Sequence, residues 1–186
     1  MLSPYLLDTN AYALFLQHPK PLACSRLEEK LDNGDISFYI SEITSMEIHS
    51  VLGKYRRGSP RQLQLCDRQT VGTDSSKCTW ISPGRKPLKA KLFRDLQKLI
   101  YDIESMRGQI QAFVILLDQE TITKAKHLLR TYSDHYNIGS HDALIGGVAI
   151  RQKAKNRLQL TIVTSDKGLK ALLTDEHIPV YDPNKP

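Results

Sequence analysis

Cysteine is scarce in this sequence and too scattered for a joint role, since Cys24, Cys66 and Cys78 are odd in number and far apart. Such a set suits neither a disulfide framework nor a zinc site of the Cys-x2-Cys type, so the three read as reduced and structural. Long hydrophobic runs are missing as well. No apolar stretch nears the roughly 20 residues needed to cross a bilayer, which argues against a helical membrane span. The opening MLSPYLLDTN lacks a basic lead and a cleavage site, so no secretory signal is expected and the cytoplasm is the expected location. No internal repeat is visible.

What is present is an ordinary globular composition, 40% hydrophobic and 25% charged, which is neither disordered nor fibrous. With 186 residues the chain can bury a substantial core, and a single domain over 1–186 is expected. The formal net charge of +6 and a pI near 9.2 suit a polyanionic partner, although an excess of lysine also serves solubility.

Residues 2–7 are mostly apolar and lead into Asp8-Thr9-Asn10, after which AYALFL begins a helix closed off by Pro19 and Pro21. A second helix is predicted over 22–32, stopping at Asn33-Gly34, then a strand at 36–41 and a helix N-capped by Ser41 that carries Glu47. Leu88, Leu92, Leu96, Leu99, Ile103 and Met106 recur at three- and four-residue steps. They predict an amphipathic helix over 88–107 with Lys91, Arg94 and Lys98 toward solvent. AFVILLD at 112–118 reads as a strand covered on both faces, and a helix with Ile122, Ala125, Leu129 and Tyr132 follows. Ser140 opens the buried helix DALIGGVAI, with Arg151 and Lys153 placed to favour its C-terminal end. LTIVTSD at 160–166 reads as a strand before the short helix GLKALL, and IPVYD at 178–182 as a last edge strand.

This alternation predicts an α/β fold with a central, mainly parallel sheet between helical layers. Residues 58–87 break the rhythm with Gly58, Pro60, Gly72, Pro83, Gly84 and Pro87. They read as a long inserted basic loop, either a solvated excursion or an RNA-contacting flap that includes Trp80.

In such sheets ligands bind beyond the carboxyl ends of the strands. Four acids are expected there: Asp8 after the first strand, Glu47 inside a helix, Asp142 in the first turn of the buried helix and Asp166 after the strand at 160–166. Each aspartate alone has an ordinary structural explanation, as an N-cap or as a complement to a helix dipole. Glu47 is harder to explain, because a helical wheel places it between Ile43 and Val51 in an apolar arc extended by Met46, where an unpaired charge is costly. If the four converge, like charges about 5 Å apart repel by roughly 3 kcal/mol at an effective dielectric near 20. A cation is then required, or protonation of some of the acids. An all-oxygen set with no His or Cys cluster favours Mg²⁺ or Mn²⁺ over zinc. His141 is given no direct role, since adjacent helical residues point in different directions.

LLDTN at 6–10, ISEITSMEI at 40–48, SHDALIGGVAI at 140–150 and TIVTSDKGL at 161–169 follow one another as in a PIN domain. Over nearly its whole length the chain resembles the toxin nucleases of VapC type. The resemblance implies a three-layer α/β/α PIN-like fold, with Asp8, Glu47, Asp142 and Asp166 as the catalytic, metal-binding quartet. Asn10, and Thr164 or Ser165, resemble the family's supporting polar positions. It further implies Mg²⁺- or Mn²⁺-dependent cleavage of single-stranded or loop RNA, leaving a 5′-phosphate and a 3′-hydroxyl. Toxin members form homodimers and are neutralised by a small antitoxin protein, so both partners are expected.

Arg56, Arg57, Arg61 and Lys167 are expected to guide the RNA backbone. Two features depart from the family's pattern: the length of 58–87, and His141 before the third acid. A competing reading is a catalytically silent RNA-binding PIN module acting in RNA-processing complexes, but a carboxylate kept at the apolar position of Glu47 argues against it. A phosphate-monoester hydrolase would need a second aspartate two residues after the first, where LDTN has Asn10.

Overall fold

Along the chain run β1 (Ser3–Leu7), α1 (Thr9–Leu14), α2 (Leu22–Asp32), β2 (Ile36–Ser41), α3 (Glu42–Arg57), β3 (Gln62–Arg68) and β4 (Ser76–Ser82). They are followed by α4 (Ala90–Glu104), β5 (Ala112–Ile115), α5 (Gln119–Tyr132), α6 (Ser140–Asn156), β6 (Thr161–Val163), α7 (Lys167–Asp175) and β7 (Val180–Tyr181). This computed structural model describes residues 2–60, 62–68, 76–82 and 84–185, the two middle stretches by their backbone.

Five strands pair in the order β5-β2-β1-β6-β7, and every pairing is parallel. Successive strand residues point to opposite faces, so Leu7, Phe38, Ile40 and Val163 enter one hydrophobic cluster, with residues of α1 to α4. Leu6 and Ile162 enter the other, with α5, α6 and α7. The result is the expected α/β/α sandwich.

The chain steps from β1 outward to β2 and β5, then returns to β6 and β7 on the other side of β1. The direction of winding therefore switches between β1 and β6, where a crevice opens past the carboxyl ends of the strands. Leu7 lies opposite both Ile40 and Val163, so Asp8 and Thr164 leave the sheet side by side.

Three expectations are corrected. The apolar run at 112–118 is not a strand covered on both faces: β5 is an edge strand with Phe113 48% exposed. It ends at Ile115 because Asp118 turns to cap α5, accepting the Thr121 N–H at 2.8 Å. Residues 58–87 are not simply a loop, since β3 and β4 pair as an antiparallel ribbon. Its base is tied down by two backbone hydrogen bonds between Ser59 and Arg85, 3.0 and 2.9 Å, after Gly58 at φ +69°. Arg151 does not serve the end of its own helix. Its buried guanidinium reaches Asp118 at 3.1 Å and Glu120 at 2.8 Å, at the start of α5.

Candidate active site

Each aspartate is first a local structural device. Asp8 Oδ1 accepts the Ala11 N–H at 2.6 Å and starts α1. Asp166 Oδ1 accepts the Leu169 N–H at 2.8 Å and starts α7. Asp142 Oδ2 reaches back to the Gly139 N–H at 2.8 Å. The structural explanations for these residues therefore hold, and they coexist with a second fact: Asp8, Glu47, Asp142 and Asp166 line a single cleft of about 330 Å³. A cap occupies one carboxylate oxygen and leaves the other.

Tertiary contacts set the approach of these segments. Gly168 packs so tightly on the loop before α6 that a side chain there would overlap the Asn137 carbonyl, which keeps the start of α7 beside that loop. Fully buried Thr164 leaves the sheet beside Asp8, whose carboxyl pKa it lowers, and its hydroxyl accepts the Asp166 N–H at 3.0 Å. Glu47 is held from two sides. The Thr9 hydroxyl donates to its Oε2 at 2.5 Å, and His141 Nδ1 lies 3.2 Å from its Oε1.

Burial pushes the Asp8 carboxyl up to about 6, the charges of Asp142 and Asp166 push the same way, and hydrogen bonds to Thr164 and Ala11 oppose the rise. Asp142 is also raised, first by burial and then by Asp166 and Glu47, while the Gly139 N–H and His141 pull it back. Like charge is thus concentrated in this crevice.

As the side chains stand, no group of three or more His, Cys, Asp or Glu among the described residues is arranged to hold an ion. The donor set itself fits a hard divalent cation: its carboxylates share one crevice, and the most deeply buried is raised by burial and by its neighbours' charge.

The other sequence-derived residues divide. Thr164 contacts two acids, whereas Ser165 turns aside, donating to Asp182 at 2.7 Å and accepting from Asn184 at 2.6 Å. Asn10 is exposed on the cleft wall. Lys167, Arg56 and Arg57 are exposed, and Arg56 is engaged with the Leu88 carbonyl at 2.9 Å. Arg61 lies outside the described residues.

The helical-wheel argument for Glu47 also needs correction. The buried stripe of α3 is Thr44, Ile48 and Leu52, and Met46 is 62% exposed. Glu47 lies on the flank of that stripe, its side chain 31% exposed, facing the cleft. Sequence reasoning missed Thr9 and set His141 aside, although each adjoins one of the acids. A larger cavity of about 730 Å³ runs along α1, α3 and α4, mainly apolar and lined by none of the four acids. The polar chemistry belongs to the smaller cleft.

FitAcB from Neisseria gonorrhoeae shares this architecture, with a TM-score of 0.59 over 98% of this chain and 99% of that one. The fold is PIN-like. At 18% identity the likeness of this PIN-like chain to FitAcB concerns the fold alone. No family model matches the sequence, and no curated protein does. Among the described residues no helix is long and apolar enough to cross a membrane.

Proposed function

We propose that the chain is a metal-dependent endoribonuclease of toxin type that hydrolyses RNA phosphodiester bonds in the cytoplasm. The observation that carries this reading is the cleft itself. Four acids from distant segments line one crevice at the switch point of the sheet, and the innermost is held at about 6 by burial and by its neighbours' charge.

Asp8, Asp142 and Glu47 would hold Mg²⁺ or Mn²⁺, and Asp166 would hold the attacking water or a second, substrate-recruited ion. When bound, the ion supplies charge stabilisation at the phosphate and lowers the pKa of water. Thr164 fixes the direction of the Asp8 carboxylate, and Asn10 stands on the wall as a polar contact. Exposed Lys167 and Arg57 contribute phosphate contacts, in keeping with the net charge of +6. A small antitoxin protein and a homodimer are the partners we propose on the resemblance of the four motifs to toxins of VapC type.

Cleavage of a single-stranded RNA by wild-type, Asp8→Asn and Asp142→Asn proteins, with Mn²⁺ and with EDTA, tests the reading. Loss of the ion or of either carboxylate is expected to slow cleavage by about 100-fold or more. Unchanged cleavage would overturn it. The catalytically silent RNA-binding module is favoured by one observation, the absence among described residues of three acids already arranged around one point. Retained RNA binding without Mn²⁺-dependent turnover would decide for that alternative.

A further inference from the structure

The hold on Glu47 carries an inference that rests on the metal-binding reading above. Thr9 follows Asp8 and His141 precedes Asp142, so the two groups that meet the Glu47 carboxylate come from the segments that deliver two of the other acids. Thr9 takes Oε2 and His141 Nδ1 faces Oε1, one group on each oxygen. A flexible, part-exposed glutamate at a cleft mouth has several rotamers within reach. Contacts on both oxygens select one of them and set the plane of the carboxylate. His141 is 46% exposed, too open for a packing role, yet it lines the cleft beside Glu47.

We infer that His141 is a positioning residue for Glu47: with the Thr9 hydroxyl it clamps the carboxylate and so aims it relative to Asp8 and Asp142. Nδ1–H donating to Oε1 is the arrangement this contact favours, and residues that orient ligands in this way change metal affinity by about 10–100-fold when removed.

The test is Mn²⁺ binding to the full chain at neutral pH, measured by titration calorimetry, so that the readout does not depend on turnover. His141→Leu is expected to weaken Mn²⁺ binding about ten-fold. His141→Asn, which presents an amide N–H near the position of Nδ1, is expected to stay within about three-fold of wild type. His141→Gln carries the same group too far out to reach Oε1 and is expected not to rescue; it keeps the comparison polar if the leucine variant folds poorly. In a Glu47→Gln background, His141→Leu is expected to add no further loss, because the effect runs through Glu47. With RNA as substrate, kcat is expected to fall while KM is unchanged.

Wild-type affinity in His141→Leu, or a loss that persists in the Glu47→Gln background, overturns this inference alone. A wild-type protein that binds no Mn²⁺ overturns the metal-binding reading and this inference with it.

Discussion

The Thr164 hydroxyl accepts the Asp166 N–H at 3.0 Å and acts on the Asp8 carboxyl, whose pKa it lowers, where β1 and β6 run out side by side. One buried threonine therefore serves two acids. Thr164→Val keeps the shape and deletes this polar support. We expect a loss of about 1–3 kcal/mol, seen as a lower melting temperature, because a buried carboxylate and an N–H lose partners. We also expect cleavage slowed by about 10–100-fold. A valine variant with full stability and full rate would show that the link is incidental.

The Asp8 carboxyl titrates at about 6 in the fold against an ordinary 3.8. The folded chain therefore keeps this proton to higher pH than the unfolded chain. Stability is free of the penalty below pH 3.8, falls as pH rises through the window to about 6, and stays reduced above it. At roughly 1.4 kcal/mol per pH unit the window amounts to about 3 kcal/mol. Asp8→Asn keeps an oxygen for the Ala11 cap and removes the charge. It is expected to melt higher than wild type at neutral pH and to match it near the acid end of the window. Mn²⁺ is expected to raise the melting temperature of wild type far more than that of the variant. Thermal melts across pH, with and without the ion, check both signs.

Two glycines separate stability from site geometry. Gly147→Ala would bring a Cβ to 2.8 Å from the Thr121 carbonyl oxygen and 3.1 Å from the Ala125 nitrogen, between α5 and α6. Gly168→Ala would strike the Asn137 carbonyl beside the cleft. Each is expected to cost about 1–3 kcal/mol by overpacking. Gly168→Ala acts at the start of α7 and displaces Asp166 directly, whereas Gly147→Ala acts further along α6 than Asp142, so Gly168→Ala should lose the more cleavage rate per folded molecule. Equal rates in the two variants would refute this geometric account.

RNA affinity measured against salt distinguishes the exposed cations. Lys167→Ala should shallow the slope of log affinity against log salt by about 0.7, the value for one phosphate contact on a single strand. Arg56 is engaged with the Leu88 carbonyl, so Arg56→Ala should lower the melting temperature and change the slope less than Lys167→Ala does. Fluorescence anisotropy over a salt series, together with melts, reads both effects.

Local signals settled much of this protein. The stop at Asn33-Gly34, with Gly34 at φ +71°, and the Ser41 cap bound α2, β2 and α3 where sequence reasoning puts them. Alternating strands and helices implied a parallel sheet, and the four acids were singled out because Asp8 and Asp166 fall beyond strands, Glu47 in the helix that follows one and Asp142 in the first turn of a buried helix. These features depend on dihedral preferences and on periodicity, which neighbouring residues carry by themselves.

The tertiary structure decided the remainder. It made Thr44, Ile48 and Leu52 the buried stripe of α3, left β5 at an edge, paired β3 with β4, sent Ser165 to Asp182 and brought His141 to Glu47. An apolar run cannot state how many of its faces are covered, and a wheel cannot state which arc meets a neighbour. Both are fixed by partners distant in the chain, through packing and hydrogen bonds that exist only once the sheet has assembled.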